Sequence, residues 1–139
     1  KVAPAEVEAS IPRDPLFENA FVSGDGKPFL AAVLSLQSDR WNEFTRALSL
    51  PEADVTSEAA AAEVVRRLQA GLGHLGDHAQ VRAVHLTLAH WTIANGLLTP
   101  TLKNKRTPLQ QRYRAEIEHL YAGKVMRLRP IRFMRRVTV

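Results

Sequence analysis

FENAFVSGDGKPFLAAVLSL, running from Phe17 to Leu36, holds two apolar runs, Phe17 to Val22 and Phe29 to Leu36, joined by Ser23-Gly24-Asp25-Gly26-Lys27. An Asp-Gly pair between such runs favours a tight turn, because glycine accepts the left-handed backbone that a hairpin loop requires. The segment therefore reads as an antiparallel ribbon. Its second arm is the longest strongly apolar run in the chain, and it is far short of the roughly 20 residues that a membrane-spanning helix needs. It is expected to be a buried strand.

Outward from the ribbon the period changes from two to about 3.6. On the N-terminal side, Pro4 followed by Ala5, Glu6, Val7, Glu8, Ala9 and Ile11 predicts a short helix. Its acids lie near the positive end, and Pro12 and Pro15 stop it. On the C-terminal side, Trp41, Phe44 and Leu48 follow Ser38 and Asp39, and Val64, Val65, Leu68, Leu72 and Leu75 follow Thr56 and Ser57. Both are helical stripes behind capping residues. Val81 to Leu88 reads as a third strand, and Ala89 to Arg106 as an irregular span with an Asn95-Gly96 turn. A last helix is expected with Thr107 as cap, Pro108 in its first position, Gln110 completing a capping box and Gly123 ending it. Its apolar face would be Leu109, Tyr113, Ile117, Leu120 and Tyr121. The fold class is α+β: a small mixed sheet with a β-hairpin, packed by helices on at least one side.

At 139 residues and 45% hydrophobic composition the chain is one domain's worth with enough apolar mass for a core. It starts at Lys1 without a signal-like segment, which suggests a piece of a longer polypeptide. It has no cysteine, which removes disulfides and thiolate metal sites and fits a reducing compartment. A cytoplasmic location is expected, with peripheral membrane contact left open. The formal charge is +5, but Lys124, Arg127, Arg129, Arg132, Arg135 and Arg136 form a cationic tail with no acid among them, and without these six the charge becomes −1. The body is near neutral, so nucleic acid is not its expected partner.

Gly71-Leu72-Gly73-His74-Leu75-Gly76 has the glycine spacing of a dinucleotide-binding turn, yet it follows a helix and leads into a strand, the reverse of what a pyrophosphate needs. A frayed helix end and turn is the expected reading. His74 and His78 are four apart, with Asp77, His85 and His90 near in sequence. The glycines disfavour the helix that would make the pair a metal site, and none is expected. Leu97-Leu-Thr-Pro-Thr-Leu-Lys-Asn-Lys-Arg106 is different: it places Lys103, Lys105 and Arg106 with the hydroxyls of Thr99 and Thr101 just before the last helix. Such a loop can offer charge-assisted bonds to phosphate, although a solvated basic loop has the same composition.

Asn95 to Arg106 closely resembles the lysine-containing signature of AMP-forming long-chain acyl-CoA synthetases, typically NGLLTPTLKLKR, and departs from it at Asn104. Lys1-Val-Ala-Pro-Ala-Glu-Val-Glu8 resembles the segment after the interdomain hinge of that family. Val22 to Leu36, Ala115-Glu-Ile-Glu118 and Leu120-Tyr121 are similar to the same subfamily, in the same order. The resemblance covers residues 1–123, with weaker support from Ser38 to Gln80, and leaves 124–139 as an unassigned basic tail.

The resemblance implies the mobile C-terminal domain of a two-domain ligase. Such enzymes use ATP and Mg²⁺ to turn a fatty acid into an acyl-adenylate, then pass the acyl group to coenzyme A. It implies that Lys103 is the catalytic lysine and that Thr101 and Lys103 face the ATP phosphates. It also implies that an N-terminal adenylation domain binds most of the ATP, fatty acid and coenzyme A, so this piece alone should be inactive. Glu6 and Glu8 lie in the matching hinge segment, where stabilising the helix N-terminus is the simpler role. Two other readings stay open: an acyl-AMP ligase that delivers to a carrier protein, and a non-catalytic module whose basic tail binds acidic lipid or nucleic acid.

Overall fold

The computed structural model describes residues 4–50 and 54–122, and the backbone of 134–137. Helix α1 (Pro4–Ser10) runs into a 3₁₀ turn, then strands β1 (Phe17–Ser23) and β2 (Leu30–Leu36) form the expected hairpin, with Gly26 at φ 71°. Helices α2 (Ser38–Ala47) and α3 (Glu58–Gly71) cross over to β3 (Val81–Thr87), which lies parallel to β2. After a long loop come α4 (Arg106–Arg112), α5 (Arg114–Ala122) and β4 (Met134–Val137), the last parallel to β3. The mixed sheet has the order β1-β2-β3-β4.

Helices cover both faces. On one, Val7, Ile11, Trp41, Val64, Val65 and Leu68 pack on Ala20, Val22, Leu34, Val84 and Leu86. On the other, Leu97, Leu98, Leu109, Tyr113 and Ile117 pack on Phe21 and Val33. Alternate residues of one strand thus reach different layers, and β2 is buried along its whole length, which is why its sequence is apolar but for Ser35, whose hydroxyl donates to Ala89 O at 2.8 Å. Tyr121 pins the hairpin to α5: its hydroxyl, 3.0 Å from Ser23 O and 2.9 Å from Phe29 O, donates to these carbonyls. Burial pushes its pKa up, against the Ser23 hydrogen bond.

Several expected details differ. The last helix begins at Arg106 with Lys105 in the cap position and no side-chain cap bond, so Thr107 and Pro108 lie inside its first turn. It is interrupted at Tyr113, whose backbone leaves helical geometry while its ring enters the core. Gly123 lies outside the described residues, as do Lys1 to Ala3 and 124–133. The cap of α2 is Gln37, whose Oε1 accepts from Arg40 N at 2.8 Å, not Ser38 or Asp39. Ser57 caps α3 as read, but Leu72 and Leu75 lie beyond the helix end. Arg135 and Arg136, read as part of the tail, are on β4. Among the described residues no helix is long and apolar enough to cross a membrane.

One ion pair ties α3 to the connector before β1. Arg67 donates from Nε and Nη2 to the two carboxylate oxygens of Asp14 at 2.6 and 2.8 Å. Burial raises the Asp14 pKa, but the Arg67 and Leu16 hydrogen bonds and the charges of Arg67 and Arg40 outweigh it, and the net shift is downward. A depressed carboxylate pKa stabilises the fold above its unfolded value, and the gain is lost as pH falls through the folded value. Asp14→Asn should therefore cost about 1 kcal/mol or less at neutral pH. In urea titrations the difference from wild type should vanish well below pH 3.8, the ordinary Asp value.

Candidate functional site

The loop between β3 and α4 is built in two parts. Its first part is anchored: Trp91 is buried and its indole donates to the Tyr113 hydroxyl at 3.0 Å. Asn95 and Thr92 close a small turn by exchanging side-chain and backbone bonds at 3.0 and 2.9 Å. Leu97 and Leu98 then enter the core, which fixes where the second part emerges.

That second part is a compact hairpin with Lys103 on its rim. Leu98 and Asn104 form an antiparallel bridge. Thr99 N donates to Lys103 O at 2.8 Å, Leu102 N to Thr99 O at 2.7 Å, and Lys105 N to Leu97 O at 2.9 Å. The Thr99 hydroxyl organises the interior, accepting from Lys103 N at 3.0 Å and lying 3.2 Å from the Thr101 hydroxyl. Pro100 stands where its fixed φ suits a turn, and Leu102, with φ 66°, takes the left-handed position that closes a three-residue hairpin. The loop is thus internally bonded, not a loose solvated segment.

The rim of this framework is open to solvent. Thr101, Leu102, Lys103 and Lys105 are exposed, Leu102 at 64%. Among the described residues Lys103 makes no ion pair, so its ammonium is available to a partner. Of the three cations Lys103, Lys105 and Arg106, the last, at the start of α4, bonds back to the domain while staying half exposed. Its guanidinium lies 3.1 Å from both Glu8 oxygens and donates to Val22 O at 3.0 Å, over the Phe21 ring at 4.5 Å. Glu8, read as a helix-end acid, is a receptor for this loop: Val22 N donates to its Oε2 at 2.7 Å and Asn104 Nδ2 to its Oε1 at 3.0 Å.

The other motifs fall where their sequence context puts them. The glycine-rich segment is the end of α3 and two 3₁₀ turns, with Gly76 at φ 93°. His74 and His78 sit in separate turns. His85 is buried on β3 beside Tyr113, their rings 5.9 Å apart. His90 pairs with Glu18 at 2.8 Å. Thr99, Asn104, Arg106 and Glu8 are all noted in the sequence, but the bonds by which they build this site are not legible there. The Thr99-Pro100 pair was the available signal for Thr99.

A family profile described as AMP-binding enzyme C-terminal domain matches residues 1–125. The long-chain-fatty-acid–CoA ligase FadD15 of Mycobacterium tuberculosis is 28% identical over 125 residues, covering 86% of this chain and 21% of the ligase. Human long-chain-fatty-acid–CoA ligase 6 is 30% identical over 128 residues, 87% of this chain and 18% of that protein. The chain thus spans about a fifth of these relatives. The AMP-complexed A-PCP didomain of a carboxylic acid reductase from Segniliparus rugosus superimposes with a TM-score of 0.73 at 23% identity, over 91% of this chain and 17% of that one. At that identity the likeness concerns the fold.

Proposed function

Because the chain belongs to the family of AMP-binding enzyme C-terminal domains, we propose that it is the lid domain of a two-domain, AMP-forming acid–thiol ligase, with Lys103 as its catalytic lysine. A carboxylate oxygen of a fatty acid attacks the α-phosphorus of ATP and pyrophosphate leaves. The thiol of coenzyme A then attacks the acyl carbon and AMP leaves. During the first displacement negative charge grows on the phosphoryl oxygens, and an ammonium carried into a closed cleft stabilises it. The observation that carries this reading is the placement of Lys103: an exposed cation, unpaired among the described residues, on a rim fixed by main-chain bonds. A preorganised charge needs no reordering when the lid closes. Thr101, exposed on the same hairpin, adds a hydroxyl suited to a phosphate oxygen.

Magnesium accompanies ATP in this chemistry. Among the described residues no three His, Cys, Asp or Glu side chains come together to hold a metal ion, and its ligands are not assigned to this chain. The adenine and acyl pockets are likewise assigned to an N-terminal adenylation domain of the same enzyme. The names of the fatty-acid–CoA ligases among the relatives support a fatty acid as substrate and coenzyme A as acceptor.

The test is fatty-acid-dependent exchange of pyrophosphate with ATP in the full-length enzyme. Lys103→Ala should lose exchange and Lys105→Ala should keep it; equal behaviour of the two variants would refute the assignment. A second expectation concerns Leu102, an exposed apolar side chain held next to Lys103 on backbone that leucine seldom adopts. Leu102→Asn adds no charge and fits that backbone at least as well, so the thermal midpoint should not fall. Losing the burial of a leucine on lid closure should nevertheless slow adenylation by about tenfold. Unchanged kinetics would show that this side chain meets no partner.

A further inference from the structure

Beyond the lysine itself, we infer that Asn104 is a positioning residue that sets the reach of Lys103 by bonding the loop to helix α1 and to the open edge of the sheet. The inference rests on the reading of Lys103 given above. Among the described residues strand β1 is the outer strand of the sheet, so the outward backbone groups of Ala20 and Val22 have no neighbouring strand there. Unpaired edge groups are costly when covered. Three side chains cover them here. Asn104 Nδ2 donates to Ala20 O at 2.7 Å, Glu8 accepts from Val22 N at 2.7 Å, and Arg106 donates to Val22 O at 3.0 Å.

Asn104 joins this patch from the position next to Lys103. The amide has two N–H donors, one meeting Ala20 O and the other meeting Glu8 Oε1 at 3.0 Å. The Glu8 side chain is only 12% exposed, and a carboxylate so far out of water needs donors on its oxygens. Val22, Asn104 and Arg106 supply them. The leucine found here in the family signature could make none of these bonds. In this chain the loop is therefore held by polar geometry: a carboxylate on α1 and a carbonyl on β1 jointly fix the residue beside the lysine. Because Glu8 belongs to the first helix, the loop and that helix should move as one body when the domain turns. A lysine displaced by an ångström loses a large share of its effect on a reaction that depends on alignment.

The test uses the full-length enzyme and both half-reactions. Asn104→Asp is nearly isosteric but sets a carboxylate against Glu8. It should slow pyrophosphate exchange by about tenfold or more, with little change in KM for ATP or fatty acid. Thioester formation from supplied acyl-adenylate should continue at close to the wild-type rate. Adding Glu8→Gln, which returns an amide to the pair, should recover part of the loss. Asn104→Ala, which carries no charge, should also slow exchange, yet add nothing further in a Lys103→Ala background; it serves alone if Asn104→Asp does not fold. Loss of both half-reactions alike, wild-type exchange in both Asn104 variants, or full additivity with Lys103→Ala would overturn the positioning role. If Lys103→Ala itself exchanges normally, the catalytic assignment falls first, and the two failures are thereby told apart.

Discussion

Lys103→Ala in the full-length enzyme is expected to lower acyl-adenylate formation by about a hundredfold or more, the usual loss when one preorganised partner of a developing charge is removed. Thioester formation from supplied adenylate should fall far less. The asymmetry follows from where charge appears. In the first half-reaction the phosphorus centre gathers negative charge between an incoming carboxylate and departing pyrophosphate, and the closed lid holds the ammonium there. In the second a thiol attacks an acyl carbon and AMP departs, and the lid is expected to have turned the lysine away. Fold stability should be unchanged, since the side chain is exposed and unpaired among the described residues. Stopped-flow or quench measurement of each half-reaction checks this. Equal loss in both would mean a general defect, not a role in adenylation.

Phe21→Ala should have the largest effect on stability. The ring is 1% exposed, lies in the core layer that receives Leu97 and Leu98 from the loop, and carries the Arg106 guanidinium on its face. Truncating a buried phenylalanine costs about 3–5 kcal/mol, a large part of the roughly 5–15 kcal/mol that holds a domain together. A drop of about 10–20 °C in the melting midpoint follows for a domain of this size. Hydrogen exchange should also quicken at the Thr99 and Lys103 amides, because the layer that anchors their loop is hollowed. Phe44 is only partly buried and packs in the opposite layer against Trp41. Phe44→Ala should melt closer to wild type and leave those amides protected. A Phe21→Ala melt within about 2 °C of wild type would contradict the proposed anchoring.

The hairpin and the crossover were legible because period and punctuation agree there. Asp25-Gly26 supplies the turn, β2 is apolar on both faces, and Ser57 precedes a regular stripe. The start of α4 misled because Thr107, Pro108 and Gln110 form a plausible cap, while the helix already begins at Arg106, whose guanidinium is drawn to Glu8. Tyr113 interrupts the last helix through its packing against Trp91, a contact between residues far apart in sequence. Strand β4 was hidden by charge, since Arg135 and Arg136 made a strand in that segment look like a tail.

At the site, Lys103 and Thr101 are proposed on resemblance alone. The hairpin that carries them was not read, because its left-handed position holds Leu102 instead of the glycine or asparagine that would announce it. Asn104 was seen only as a departure from a signature. Its purpose depends on Glu8 and Ala20, which lie 96 and 84 positions away, and no local pattern could supply those partners.

The most direct measurement is labelling of the full-length enzyme with an adenosine analogue that bears an amine-reactive sulfonyl fluoride in place of the phosphates, followed by mapping of the modified residue. If the Lys103 side chain enters the nucleotide cleft, its amine should displace fluoride from the sulfonyl group, with loss of a proton, and ATP should shield it. Label confined to Lys105 or to other surface lysines, or label at Lys103 that ATP does not suppress, would contradict it.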